Sequence, residues 1–159
     1  MCGNGGPLRL ARVSVRLYWL VRYIERTENI TRLVSVNAGL QLDFPRGVKP
    51  PWHALTDIMD LTDAFMENHA KADERSVMAF MLANEKNPSS LLSSVSLARE
   101  NARTTREILP TEAFELITEM HLFAQSHINQ ALAKSGRHEF LDSIVNQCHQ
   151  LNGLLFGTM

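Results

Sequence analysis

From Leu8 to Leu42 the chain contains no proline, and its apolar side chains return at helical spacing. Leu20, Tyr23, Ile24, Ile30, Val34 and Ala38 fall on one side of a 3.6-residue wheel, which predicts one long amphipathic helix. Such a helix is stabilised mainly by packing of its apolar side, so the rest of the chain must supply partners for it. Asp43-Phe44-Pro45-Arg46-Gly47 ends the pattern, because proline and glycine stop helices. Upstream, Met1 to Gly6 hold three glycines and read as part of a flexible leader, with Pro7 suited to a first helical position. Residues 1–7 are thus expected as leader and residues 8–159 as one helical domain.

The remaining punctuation yields shorter helices. Pro50 and Pro51 open one that carries Trp52, Leu55, Ile58 and Met59, followed by a turn or short helix through Asp63, Phe65 and Met66. Another begins near Asp73, presents Val77, Met78, Phe80 and Met81, and breaks at Asn84-Glu85-Lys86-Asn87-Pro88. Asn87-Pro88 is a helix-start signal and predicts a helix running to Leu109. Thr111-Glu112 reopens the pattern to Ser135-Gly136, where a left-handed glycine is expected, and a last helix covers about His138 to Asn152. No stretch shows the alternation of a half-buried strand. The predicted fold is all-α: an up-and-down antiparallel bundle of about six helices, with short connections between neighbours.

A chain of 159 residues with 45% hydrophobic and 21% charged side chains can bury a core and is not disordered in composition. The net charge of −1 supplies no global field toward nucleic acid or an anionic membrane. Leu17 to Ile24, interrupted by Arg22, is far short of a bilayer span, and no signal-peptide pattern is present. A cytoplasmic location is expected. With cysteine only at positions 2 and 148, a disulfide framework is not expected.

The long helix also carries a polar pattern. Tyr18, Arg22, Glu25, Asn29 and Arg32 follow steps of four and three and align in a stripe opposite the apolar side, with Arg26 beside them. Such a stripe is ordinarily a solvated face with internal ion pairs. Its functional reading is a recognition strip in which Arg groups held by Glu clasp carboxylate or phosphate oxygens. Arg99-Glu100-Asn101-Ala102-Arg103, extended by Arg106, repeats the chemistry later in the chain. The candidate binding residues are Arg22, Glu25, Arg26, Asn29, Arg32, Arg99, Asn101, Arg103 and Arg106. The matched content predicts packed neighbours, with Glu25 or Glu28 in salt-bridge reach of Arg99, Arg103 or Arg106.

Leu17-Tyr18-Trp19 leading into Arg22-Tyr23-Ile24-Glu25-Arg26-Thr27-Glu28-Asn29 resembles the signature of the alpha-E family, named for an α-helical domain with a Glu-Arg motif. Asn87-Pro88-Ser89-Ser90 with Ala98 to Arg103, and Gln150-Leu151-Asn152-Gly153, resemble further blocks of that family. The resemblance implies a bacterial protein found beside a circularly permuted ATP-grasp protein and transglutaminase-like proteases, and a role in peptide ligation or modification. Family members usually run to about twice this length and carry another Glu-Arg helix, so the chain is similar to an N-terminal half. The expectation is a homodimer, or pairing with a separate C-terminal half, that draws in Leu154, Leu155 and Phe156. The competing expectation folds these three back onto their own bundle.

Enzymatic readings are tested by spacing. Met1-Cys2-Gly3 is similar to the opening of amidotransferases with an N-terminal cysteine nucleophile, but those need layered sheets to place the amine and oxyanion donors. No Glu-x-x-His occurs, and the six histidines never stand three or four apart, so neither a di-iron bundle nor a zinc site is expected. His121 and His127 read as surface or core-edge residues, and Met59, Met66, Met78, Met81 and Met120 as core fillers. No cofactor is expected. The favoured function is a noncatalytic helical adaptor for the ATP-grasp system. The alternative is an enzyme subunit that binds an anionic substrate in an Arg/Glu-lined cleft, with Glu25 as general base.

Overall fold

The computed structural model describes residues 6–48 and 51–157, and every regular element among them is helical. Helix α1 spans Gly6–Leu42, α2 His53–Ile58, α3 Thr62–Met66 and α4 Glu74–Met78, which continues as a π turn over Ala79–Ala83. Then come α5 (Leu91–Thr104), α6 (Thr111–Leu132) and α7 (Arg137–Phe156). The first five leader residues and Pro50 lie outside the described residues, whereas Gly6 and Pro7 already belong to the first turn of α1.

Four long helices close into a ring in which α1 and α6 each pack against both α5 and α7. Neighbours run antiparallel. Arg9 and Arg16 at the start of α1 reach Glu107 and the Thr104 carbonyl at the end of α5, at 3.1 and 3.5 Å. Glu28, further along α1, meets Asn152 near the end of α7, and the last turns of α1 share a groove with the start of α7. The bundle is therefore four-membered, and the short segments α2 to α4 lie across one end of it rather than adding full-length members. Trp52 and Glu74 place them beside Arg137, His138 and Leu141.

The inner side of α1 buries Leu20, Ile24, Thr27, Ile30, Thr31 and Val34. Each such aliphatic side chain contributes on the order of 2 kcal/mol of transfer free energy. The two threonines cost little, because each hydroxyl donates to the carbonyl four residues earlier, Thr27 to Tyr23 at 2.8 Å and Thr31 to Thr27 at 2.6 Å. Met78, Met81 and Met120 are fully buried, but Met66 is half exposed and does not fill the core.

Several local readings are corrected. Helix α5 starts at Leu91 with Ser90 as its N-cap, not at Asn87-Pro88, and it ends at Thr104, well before Leu109. Asn87 is buried instead, and its Nδ2 donates to the Phe80 carbonyl at 3.1 Å. That bond satisfies a group on the widened π turn, where Phe80, Met81 and Leu82 are buried in succession. Gly136 is not left-handed (φ −106°), and α6 already stops at Leu132. The C-terminal carbonyls of α6 are satisfied by the Arg137 guanidinium, which donates to Ala131 at 2.9 Å and to Leu132 at 3.3 Å. Leu154 and Leu155 are half-buried against the core as the end of α7, while Phe156 is 47% exposed. Among the described residues no helix is long and apolar enough to cross a membrane.

Candidate functional site

The predicted stripe of α1 is a surface. Tyr18, Arg22, Glu25, Asn29 and Arg32 are all exposed, opposite the buried side of the helix. Arg22 Nη1 and Glu25 Oε2 stand 3.3 Å apart in a pair whose side chains are each about half exposed, so solvent screens most of its energy. The rings of Tyr18, Trp19 and Tyr23 form a run along the helix, and Arg26 lies over Tyr23 with its guanidinium carbon 5.7 Å from the ring centre.

Glu28 is turned to the side of the stripe, toward α7. Its carboxylate pairs with Arg32 at 2.9 Å and accepts from Asn152 Nδ2 at 3.2 Å. His149 Nε2 lies 2.6 Å from Arg32 Nη2, and since a guanidinium only donates, the ring nitrogen accepts there. Beneath this cluster, burial and then the Glu28 carboxylate push the Cys148 thiol up to about 12, against a smaller lowering by Arg32.

Helices α1 and α5 are packed neighbours, as the matched motifs predict. The cross-helix ion pairs are not formed. Among the described residues neither Glu25 nor Glu28 is in salt-bridge reach of Arg99, Arg103 or Arg106. The reason is rotational: the polar stripe of α1 points away from the bundle, and Arg103 and Arg106 are engaged elsewhere. Arg103 grips Glu100 of its own helix with two bonds, at 2.6 and 3.2 Å, which raises the Arg103 pKa and lowers that of Glu100. Arg106 covers the Phe114 ring of α6 at 4.7 Å, and the charge of Arg99 is felt by His121 of α6. Asn101 is half-buried, its carbonyl accepting the Thr105 hydroxyl at 2.7 Å. The nine candidate residues therefore do not converge on one cleft.

A different set does converge. Arg9, Arg12 and Arg16 of α1 face Arg103, Arg106 and Glu107 across an open groove of about 650 Å³. Two of these arginines belong to the expected set, but Arg9, Arg12 and Arg16 were not singled out. Their spacing of three and four along a helix was the available signal. A second groove, of about 570 Å³, lies at the far end of α1 between Ala38, Gly39, Leu42, Trp52 and Leu141, with the Glu74–Arg137 pair at its edge. Among the described residues no three His, Cys, Asp or Glu side chains are grouped to hold a metal ion, and Cys2 lies outside them.

A model of the Alpha-E family, described as a predicted alpha-helical domain with a conserved ER motif, matches residues 10–159. The chain belongs to the Alpha-E family. The match covers nearly the whole sequence, and no curated protein or solved structure matches it. Two Glu-Arg dipeptides occur in this Alpha-E chain, Glu25-Arg26 in the middle of α1 and Glu74-Arg75 at the start of α4. They differ in setting. Glu25 is exposed on the stripe, whereas Glu74 forms a partly buried pair with Arg137 at 2.9 Å.

Proposed function

We propose that this Alpha-E chain is a noncatalytic helical adaptor, a partner subunit for an ATP-grasp-type peptide ligation or modification system, docked through the outward face of α1. The observation that carries the reading is the exposure of Val15, Tyr18 and Trp19 beside Arg22, with the polar side chains of Glu25, Asn29 and Arg32 continuing the same face. Aromatic anchors with Arg beside them and a polar rim around them are the composition of protein interfaces. A contiguous exposed apolar patch marks such a surface, whereas scattered exposed apolar residues do not. The partner class comes from the family resemblance. The rival reading, an enzyme subunit with an anionic substrate, draws support from the arginine-lined groove, although Arg22, Glu25 and Arg26 do not line it.

The test is co-expression with the circularly permuted ATP-grasp protein and the transglutaminase-like protein of the same genome, followed by light scattering on the purified species. A defined complex that the Tyr18→Ala/Trp19→Ala variant dissociates supports the adaptor. Failure of both partners to associate, or a complex indifferent to that variant, counts against it. Sedimentation of the chain alone covers the competing occupant: a dimer that the same variant abolishes assigns the face to a second copy.

A further inference from the structure

We propose that the groove between the start of α1 and the end of α5 binds a compact oligophosphate, an anion carrying two or more linked phosphoryl groups. Five guanidinium groups line it, Arg9, Arg12, Arg16, Arg103 and Arg106, against the single carboxylate of Glu107. A chain with a net charge of −1 has thus gathered four net positive charges in one concavity. The site lies on a different side of α1 from the Tyr18–Arg22–Glu25 face and does not depend on the adaptor reading.

Local energetics favour an occupant. Arg12 and Arg16 stand four residues apart on one helix, and Arg103 near the end of α5 and Arg106 in the turn after it line the same groove, so like charges repel in the free protein. Existing partners offset this weakly. The Arg9–Glu107 pair is almost fully exposed, Arg16 reaches the Thr104 carbonyl only at 3.5 Å, and Arg12 has no ion pair or hydrogen-bond partner among the described residues. Arg103 is held by Glu100, yet its side chain remains 60% exposed and free to exchange partners.

The lining also selects the class of anion. A guanidinium fork fits carboxylate and phosphate alike, so charge density decides between them. Arg9 to Arg16 covers about 10 Å of helix axis, and a short oligophosphate places several charges within that reach. An acidic peptide would need apolar pockets for its remaining side chains, whereas Val13 is the one hydrophobic residue lining the groove. The volume of about 650 Å³ is in the ordinary range for a small-molecule site.

Calorimetric titration of the full chain with tripolyphosphate, inorganic phosphate, a polyglutamate peptide and a single-stranded oligonucleotide tests the proposal. Tripolyphosphate is expected to bind in one site, to weaken steeply with salt, and to raise the melting midpoint. Arg12→Ala and Arg103→Ala should each weaken it by about tenfold. Glu107→Gln, which removes the opposing charge and releases Arg9, should tighten it, and Arg75→Ala on α4 should leave it unchanged. Circular dichroism of each variant separates loss of the site from loss of the fold, and the gain with Glu107→Gln is an effect that misfolding cannot mimic. The proposal is overturned if orthophosphate or polyglutamate binds as tightly as tripolyphosphate. It is equally overturned if the oligonucleotide binds while tripolyphosphate does not, or if Arg75→Ala weakens binding as much as Arg12→Ala.

Discussion

Glu28 on the first helix accepts a hydrogen bond from Asn152 on the last, at 3.2 Å, while its other carboxylate oxygen pairs with Arg32. The carboxylate side chain is only 18% exposed, so its bonds are poorly replaced by water when the partner is removed. Glu28→Ala should destabilise the fold by about 1–2 kcal/mol in urea titrations. Glu25→Ala, which removes only a solvated pair, should stay within about 0.5 kcal/mol. Equal effects of the two would contradict the placement of Glu28 between helices.

Arg137 is 7% exposed at its side chain and donates to the Ala131 and Leu132 carbonyls and to Glu74. Arg137→Met should cost about 2–4 kcal/mol, since it strips the end of α6 of its donors and leaves Glu74 without its partner. Arg137→Lys restores the charge but cannot reach three acceptors with one ammonium, and is expected between the two in thermal melts.

The main elements were legible in the sequence. The apolar period of α1, the helix start near Asp73 and the Thr111-Glu112 start of α6 are local signals, and each stands where expected. The misread ends are those at which tertiary partners override local chemistry: Asn87 satisfies a π turn, and Arg137 makes a left-handed Gly136 unnecessary. Asp60, with φ 55°, takes the left-handed turn after α2 that a glycine would have announced. Among the site residues, exposure of the α1 stripe followed from its phase. Which stripe faces which helix did not, because periodicity fixes positions around one axis and leaves the setting of two helices open. The arginine groove needed the antiparallel pairing of α1 with α5 to become visible.

The buried Cys148 thiol, pushed up to about 12 from an ordinary 9.0, makes stability depend on alkaline pH. Its contribution is fully present below the unfolded pKa and is lost as pH rises from about 9 toward 12, because only the unfolded thiol ionises in that window. In a Cys2→Ser background the urea midpoint should fall over the accessible part of that range more steeply than in Cys2→Ser/Cys148→Ala. A thiol reagent at pH 8 should reach Cys148 only on unfolding.

His121 behaves in the opposite sense. Burial, and secondarily the charge of Arg99, holds its pKa below the ordinary 6.5, and its Nδ1 has no hydrogen-bond partner among the described residues. Stability is therefore intact above pH 6.5 and is lost as pH falls below it, where the unfolded imidazole takes up its proton first. Replacing His121 by Leu should flatten this acid limb of the melting profile. A variant whose slope matches that of the parent would remove His121 as its source.

The 37 residues of α1 amount to a rod of about 55 Å, yet its buried side chains lie only between Leu20 and Val34. It is gripped at its waist. The arginine groove lies toward one tip and the Ala38–Gly39 groove toward the other, about 39 Å apart along the axis. Both grooves are thus lined in part by the ends of one helix, whose middle is anchored in the core.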